Sequence, residues 1–122
     1  MMEHPPSQTE LRGALARAFR TTTSNVEIVT DMATPSDAPV VCQIQDLGGQ
    51  FPLMASVYLK PMVQVEDREA VFRVLSELTQ TRLLVAADSP DPYVMSLVDG
   101  NQVNSVSVDV GALDDREEYV LA

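Results

Sequence analysis

Tryptophan is absent from this chain of 122 residues, and cysteine, histidine and lysine occur once each. Each shortage narrows what the protein can do. A single cysteine, Cys42, cannot close an internal disulfide, which fits a reducing cytoplasm. The single histidine, His4, stands beside Pro5 and Pro6 near the start, so no internal imidazole serves proton transfer or metal binding. With three Tyr, three Phe and no Trp, platforms for stacking nucleobases are scarce. The glycine pair Gly48-Gly49 falls between two strand-like runs, whereas a phosphate-cradling loop needs a helix behind it and usually a lysine. No apolar run approaches the roughly 18–20 residues that span a bilayer. The opening residues, Met1-Met2-Glu3-His4-Pro5-Pro6, lack the basic start and apolar stretch of a secretory signal. Composition predicts a cytoplasmic globular protein that engages neither membrane nor nucleic acid.

Acid, by contrast, is abundant. Eighteen Asp and Glu stand against eight Lys and Arg, a net charge of −10. From Asp88 onward, eight acids (Asp88, Asp91, Asp99, Asp109, Asp114, Asp115, Glu117 and Glu118) meet one base, Arg116. That segment carries −7 and the first 87 residues carry −3. Acidity alone serves solubility, but its clustering in the last third points to a basic protein partner, whose encounter such a field accelerates.

Length fits one domain, 1–122, with residues 1–6 read as a flexible tail and 113–122 as an acidic tail. Ser7 and Glu10 have the spacing of a capping box, and Leu11, Ala14, Leu15, Ala18 and Phe19 form one apolar helical stripe. The pattern predicts a helix over about 8–20. Val26 to Thr30 alternates as a short strand, and Ala33 to Pro39 is a loop by composition. Val40, Cys42 and Ile44 alternate with Gln43 and Gln45, which makes Cys42 a small buried hydrophobe in a strand. Phe51 to Leu59 is nearly continuous apolar sequence, as in a strand covered on both faces, and should pair with the preceding run as an antiparallel hairpin. Glu66, Asp67 and Glu69 open a second helix that buries Val71, Val74, Leu75 and Leu78 and stops near Thr81. Leu83–Ala87, Tyr93–Val98 and Val103–Val110 read as three more strands, the last two joined by an Asp99-Gly100-Asn101-Gln102 hairpin turn. The order is α-β-β-β-α-β-β-β: an α+β domain with a mainly antiparallel sheet of about six strands and two helices on one face.

The one carboxylate group that could do chemistry is Asp88, Asp91 and Asp99. An extended strand from Tyr93 to Val98 separates its two ends by roughly 20 Å, so Asp99 belongs to the far end of the hairpin. Calcium, moreover, needs about six to eight oxygens at regular loop spacing. Neither catalysis, metal nor cofactor binding is predicted. The prolines of Asp88-Ser89-Pro90-Asp91-Pro92 instead make a stiff acidic turn, and stiffness lowers the entropy lost on docking.

Three stretches, CQIQDLGGQFPLMASVYL (Cys42 to Leu59), LLVAADSPDPYVMSLVDGN (Leu83 to Asn101) and VSVDVGALDDREEYVL (Val106 to Leu121), resemble small immunity proteins of bacterial contact-dependent inhibition and other polymorphic toxin systems. The resemblance implies a small acidic protein that binds one cognate toxin domain, often a basic nuclease, and neutralises it in the cytoplasm. Asp88, Asp91, Tyr93, Asp99, Asp114, Asp115, Glu117 and Glu118 are the candidate partner-binding residues. The oligomeric state is left open. The element order is also similar to that of type III secretion chaperones, which are small, acidic, usually dimeric and normally end in a third helix.

Overall fold

The computed structural model describes residues 1–31 and 36–122. Among them, three α-helices, a single 3-10 turn (Thr23–Asn25, after α1) and six strands occur, in the order α1 (Gln8–Ala18), β1 (Val26–Val29), β2 (Val40–Asp46), β3 (Leu53–Leu59), α2 (Arg68–Thr79), β4 (Leu83–Ala86), β5 (Val94–Asp99), β6 (Gln102–Ser107) and α3 (Val110–Arg116). The class is α+β. Residues 33–35 of the predicted loop lie outside the described residues, and 36–39 carry neither helix nor strand. Among the described residues, no helix is long and apolar enough to cross a membrane.

Each helix starts on a side-chain cap. Ser7 accepts from Glu10 N, Asp67 from Ala70 N and Asp109 from Ala112 N, at 3.1, 3.2 and 2.8 Å, satisfying amides that have no partner inside the helix. Each also stops in the same way without glycine. Arg20, Gln80 and Glu117 take the left-handed conformation (φ 55, 52 and 52), and the next residue's N–H reaches back to Ala16, Ser76 and Ala112. A composition poor in glycine thus hid the helix ends.

Two three-stranded sheets form, β1-β2-β3 and β4-β5-β6. β1 runs parallel to β2, and the remaining pairs are antiparallel, including the predicted β2–β3 hairpin. The residues read as an N-terminal tail join the two sheets edge to edge. Met2 bridges antiparallel to Leu53 of β3 and also to Leu83 of β4. Met2 N donates to Leu53 O (2.8 Å), Leu84 N donates to Met1 O (2.8 Å), and Glu3 N donates to Arg82 O (3.1 Å). β3 and β4 are therefore parallel to each other, linked by the α2 crossover, and separated by one strand lane that Met1–Glu3 fills. Within the expected flexible tail 1–6, Met1 to His4 are bonded into the structure, and Met2 is 4% exposed.

Side chains alternate across this sheet, so it has two cores. On one face α1 and α2 cover Leu11, Leu15, Val40, Cys42, Leu53, Leu75, Leu83 and Val98. On the other, α3 and the C-terminal residues Tyr119 and Leu121 cover Phe51, Leu84, Met95, Leu97 and Val108. The two expected helices, α1 and α2, share one face; the third, α3, was not expected and adds a layer on the other. The acidic tail expected at 113–122 is likewise packed structure: Phe51 N donates to Tyr119 O (3.1 Å), Asp109 N to Val120 O (2.7 Å) and Ala122 N to Ser107 O (3.0 Å). β3 is covered as far as Val57 but not at its end, where Tyr58 and Leu59 are exposed, and on α2 Val74 and Leu78 are exposed rather than buried. Cys42 is fully buried, and burial raises its thiol pKa to about 11, which suits an inert packed side chain.

A carboxylate clamps the seam. Glu3 accepts from Arg82 through two guanidinium nitrogens, Nε at 2.9 Å and Nη2, and from Gln50 Nε2 at 3.2 Å. These bonds hold the Glu3 carboxyl below its ordinary pKa, with Arg82 as the main cause. Two outcomes follow. Met2→Ala leaves a cavity between the half-sheets and lowers unfolding free energy by about 2–4 kcal/mol, read as a lower urea midpoint. Because the Glu3 pKa is depressed by folding, its contribution is present above the unfolded carboxylate value and is lost as pH falls through the folded one. Glu3→Gln therefore lowers stability at neutral pH, and its deficit against wild type shrinks as urea midpoints are taken from neutral pH into the acid range below the ordinary Glu pKa.

Candidate functional site

The turn between β4 and β5 is built by its own side chains. Asp91 N donates to Ser89 Oγ (3.2 Å) and Tyr93 N donates to Asp91 Oδ1 (2.9 Å), so the Asp91 carboxylate closes a local turn while its outer side faces water. Pro90 and Pro92 supply no backbone donor and restrict their neighbours to extended geometry. The turn delivers Tyr93 to the start of β5.

There Tyr93 meets the C-terminal third of the chain. Its hydroxyl donates to Asp114, with both carboxylate oxygens at 2.9 Å. Asp114 lies in α3, which Asp109 caps and which Ala112 and Leu113 anchor on the sheet. The register follows from β6, since Val108 N donates to Tyr93 O (2.9 Å) and brings the α3 cap next to Tyr93. The Asp114 hydrogen bond raises the Tyr93 pKa, helped by the negative charges of Asp114 and Asp91, because ionised phenolate would sit among carboxylates. Asp91, Tyr93 and Asp114 thus form one surface although 23 residues separate the acids in sequence.

The other predicted residues do not all join it. Asp115 and Glu117 are exposed on the last turn of α3 and its cap. Glu118 is turned inward: it accepts from Arg116 Nε at 2.8 Å and lies over Gly48 and Gly49. A Cβ on Gly49 would come within 2.9 Å of Glu118 Cβ, so the glycine pair serves a close approach of the C-terminal segment. Asp88 stands at the rim of a groove between α2 and the sheet, lined by Arg68, Phe72, Val85 and Val103. Asp99 occupies the opposite end of β5, where its charge helps raise the Arg82 pKa, after the larger effect of Glu3.

Val110 is the residue sequence reasoning missed. It reads as the end of a strand, but it opens α3 and is 48% exposed. At four residues before Asp114 it shares that side chain's helical face. The signal was present in Asp109, a helix-capping residue type, with the β-branched alternation ending one residue later at Gly111-Ala112-Leu113. An exposed apolar side chain on the helical face that carries Asp114, itself bonded to Tyr93, has the make-up of a protein-binding surface.

Among the described residues, no three His, Cys, Asp or Glu side chains are placed to hold a metal ion. Comparison of the chain with protein-family models, with curated proteins and with solved structures found no match.

The Tyr93 environment makes a direct prediction. With Tyr58 and Tyr119 replaced by Phe, ultraviolet titration of the remaining phenol gives a lower pKa in Asp114→Asn than in Asp114, because the acceptor charge that opposes ionisation is gone.

Proposed function

We propose that the protein binds and neutralises a secreted toxin domain, a basic nuclease, in the cytoplasm, and that the surface of Asp91, Tyr93, Val110 and Asp114 makes the contact. The observation that carries this reading is the unequal balance of charge across the sheet: the α1–α2 side mixes acids with bases, and the α3 side is almost wholly acidic. Five of the eight basic residues, Arg12, Arg17, Arg20, Arg68 and Arg73, lie in or beside α1 and α2. On the α3 side the one base after Asp88, Arg116, is already engaged by Glu118. The acids there lack a compensating base of their own segment, so the field is available to a partner. A nuclease site attracts phosphate with positive charge, and an acidic surface is its electrostatic complement. Tyr93, held by Asp114 and a proline-stiffened turn, loses little freedom on docking. The resemblance of Cys42–Leu121 to immunity proteins supports the same reading.

One observation favours a second reading, a type III secretion chaperone: α3 completes the third helix with which such chaperones normally end. Light scattering separates the two, since a tight homodimer that captures an extended effector segment fits the chaperone.

For the immunity reading, the test is co-expression with a toxin domain encoded beside this chain. Wild type protects the cells and co-purifies with the toxin. Asp91→Asn, which keeps the turn's Oδ1 acceptor, with Asp114→Lys keeps the circular dichroism spectrum and unfolding midpoint close to wild type, but weakens binding about tenfold or more at low salt. Neither complex nor protection with wild type overturns the reading.

A further inference from the structure

β6 is an edge strand whose outer side is open. In an antiparallel ladder, successive residues direct their N–H and C=O groups alternately to one neighbour and the other. Val108 N donates inward to Tyr93 O, which fixes the alternation. Val106, Asn104 and Gln102 therefore pair with β5, and Ser107, Ser105 and Val103 direct their backbone outward. The outward bond from Ala122 N to Ser107 O (3.0 Å) confirms the phase. The chain's own residues Val120–Ala122 thus occupy the outer lane alongside Ser107–Asp109, bridging antiparallel through Leu121 and Val108. Among the described residues none pairs with Val103 and Ser105 in that lane, into which two N–H and two C=O groups are aimed.

Edge strands in natural proteins are blunted by brevity, charge, proline or cover. The opposite edge, β1, follows this rule: it has four residues, and its Glu27 takes the hydroxyl of Ser36. β6, Gln-Val-Asn-Ser-Val-Ser, has six residues with neither charge nor proline. Its ends are acidic. Asp99 pairs with Gln102 at one end, and Tyr93 with Asp91 and Asp114 stands beside Val108 at the other. A second copy brings the same acids to the same edge, so charge disfavours it.

We propose that the outer edge of β6 docks an extended basic segment of a partner protein, added as a strand in the lane that Val120–Ala122 begin. Backbone bonds to Val103 and Ser105 supply affinity with little sequence demand, and lysine or arginine at the segment's ends meets the flanking carboxylates. This goes beyond the toxin reading and does not depend on it, since the lane is defined by this chain's backbone.

Proline at position 105 tests it. Pro is tolerated at an edge position whose N–H faces solvent, so Ser105→Pro deletes one outward donor and leaves the β5–β6 ladder intact. The probe is a synthetic peptide of alternating lysine and valine about eight residues long, with an alternating glutamate–valine peptide beside it. Hydrogen exchange followed by NMR on the full chain shows the Val103 and Ser105 amides unprotected alone and slowed by the basic peptide, not by the acidic one. Ser105→Ala binds within about twofold of wild type and Ser105→Pro about tenfold more weakly. The proposal is overturned if Ser105→Pro binds as wild type does, or if protection falls on α3 or the α1–α2 face. Concentration-dependent protection of these amides without peptide also overturns it, because that assigns the edge to a second copy.

Discussion

The lane between β3 and β4 must be filled, and most of the architecture depends on how. The α2 crossover lays these two strands parallel with a gap of one strand between them. An empty gap would leave two rows of backbone donors and acceptors unpaired inside the protein, each costing about 1–3 kcal/mol. Met1–Glu3 satisfy both rows at once: Met2 N bonds to Leu53, while Met1 and Glu3 bond to Leu84 and Arg82. Met2 adds its side chain to the larger core, and Glu3 is held by Arg82 and Gln50 on either side. Gln50 also accepts from Leu121 N at 2.9 Å, so one side chain ties both ends of the chain to the turn before β3.

That closure gives the acidic surface its rigidity. The β4-β5-β6 half carries the α3 core, and its attachment to the other half runs through the seam and through Phe51, whose ring is buried in that core and whose N–H bonds to Tyr119. Asp114 is placed by a helix packed on this foundation, and Tyr93 by the strand beneath it. Charge balance also differs across the sheet: the α1–α2 side mixes its arginines with Glu10, Asp67, Glu69 and Glu77, whereas the α3 side sets Asp91, Asp109, Asp114, Asp115 and Glu117 against Arg116 alone. The open edge of β6 borders the acidic side at both ends. A surface and an edge that share one field can act on one partner, the first through side chains and the second through backbone.

How much of this the sequence reveals depends on the range of the interaction. Local rules are legible: the Ser7 and Asp67 caps, the alternation of Val40, Cys42 and Ile44, and the Gly100 turn all follow from neighbours within a few residues. Strand geometry also places Asp99 at the far end of β5 from Tyr93. What escapes is long-range or exceptional. Met1–Glu3 have no periodicity of their own and precede Pro5-Pro6, so only the distant gap makes them a strand. Val106, Val108 and Val110 alternate as if β6 ran on, which conceals a helix of seven residues. Arg20, Gln80 and Glu117 end helices where glycine is the usual marker. The meeting of Asp91 with Asp114 needs the path through β6, and spacing alone carries no hint of it.

The central claim is that both ends of the chain bridge into one sheet, and that the acidic surface stands on them. Native-state hydrogen exchange of the Met2, Leu84, Asp109 and Leu121 amides tests it most directly. If the claim holds, these amides exchange only through global unfolding, with the same free energy as the β2 and β5 core amides. Exchange of Met2 and Leu84 by local fraying, while the core stays protected, would contradict it.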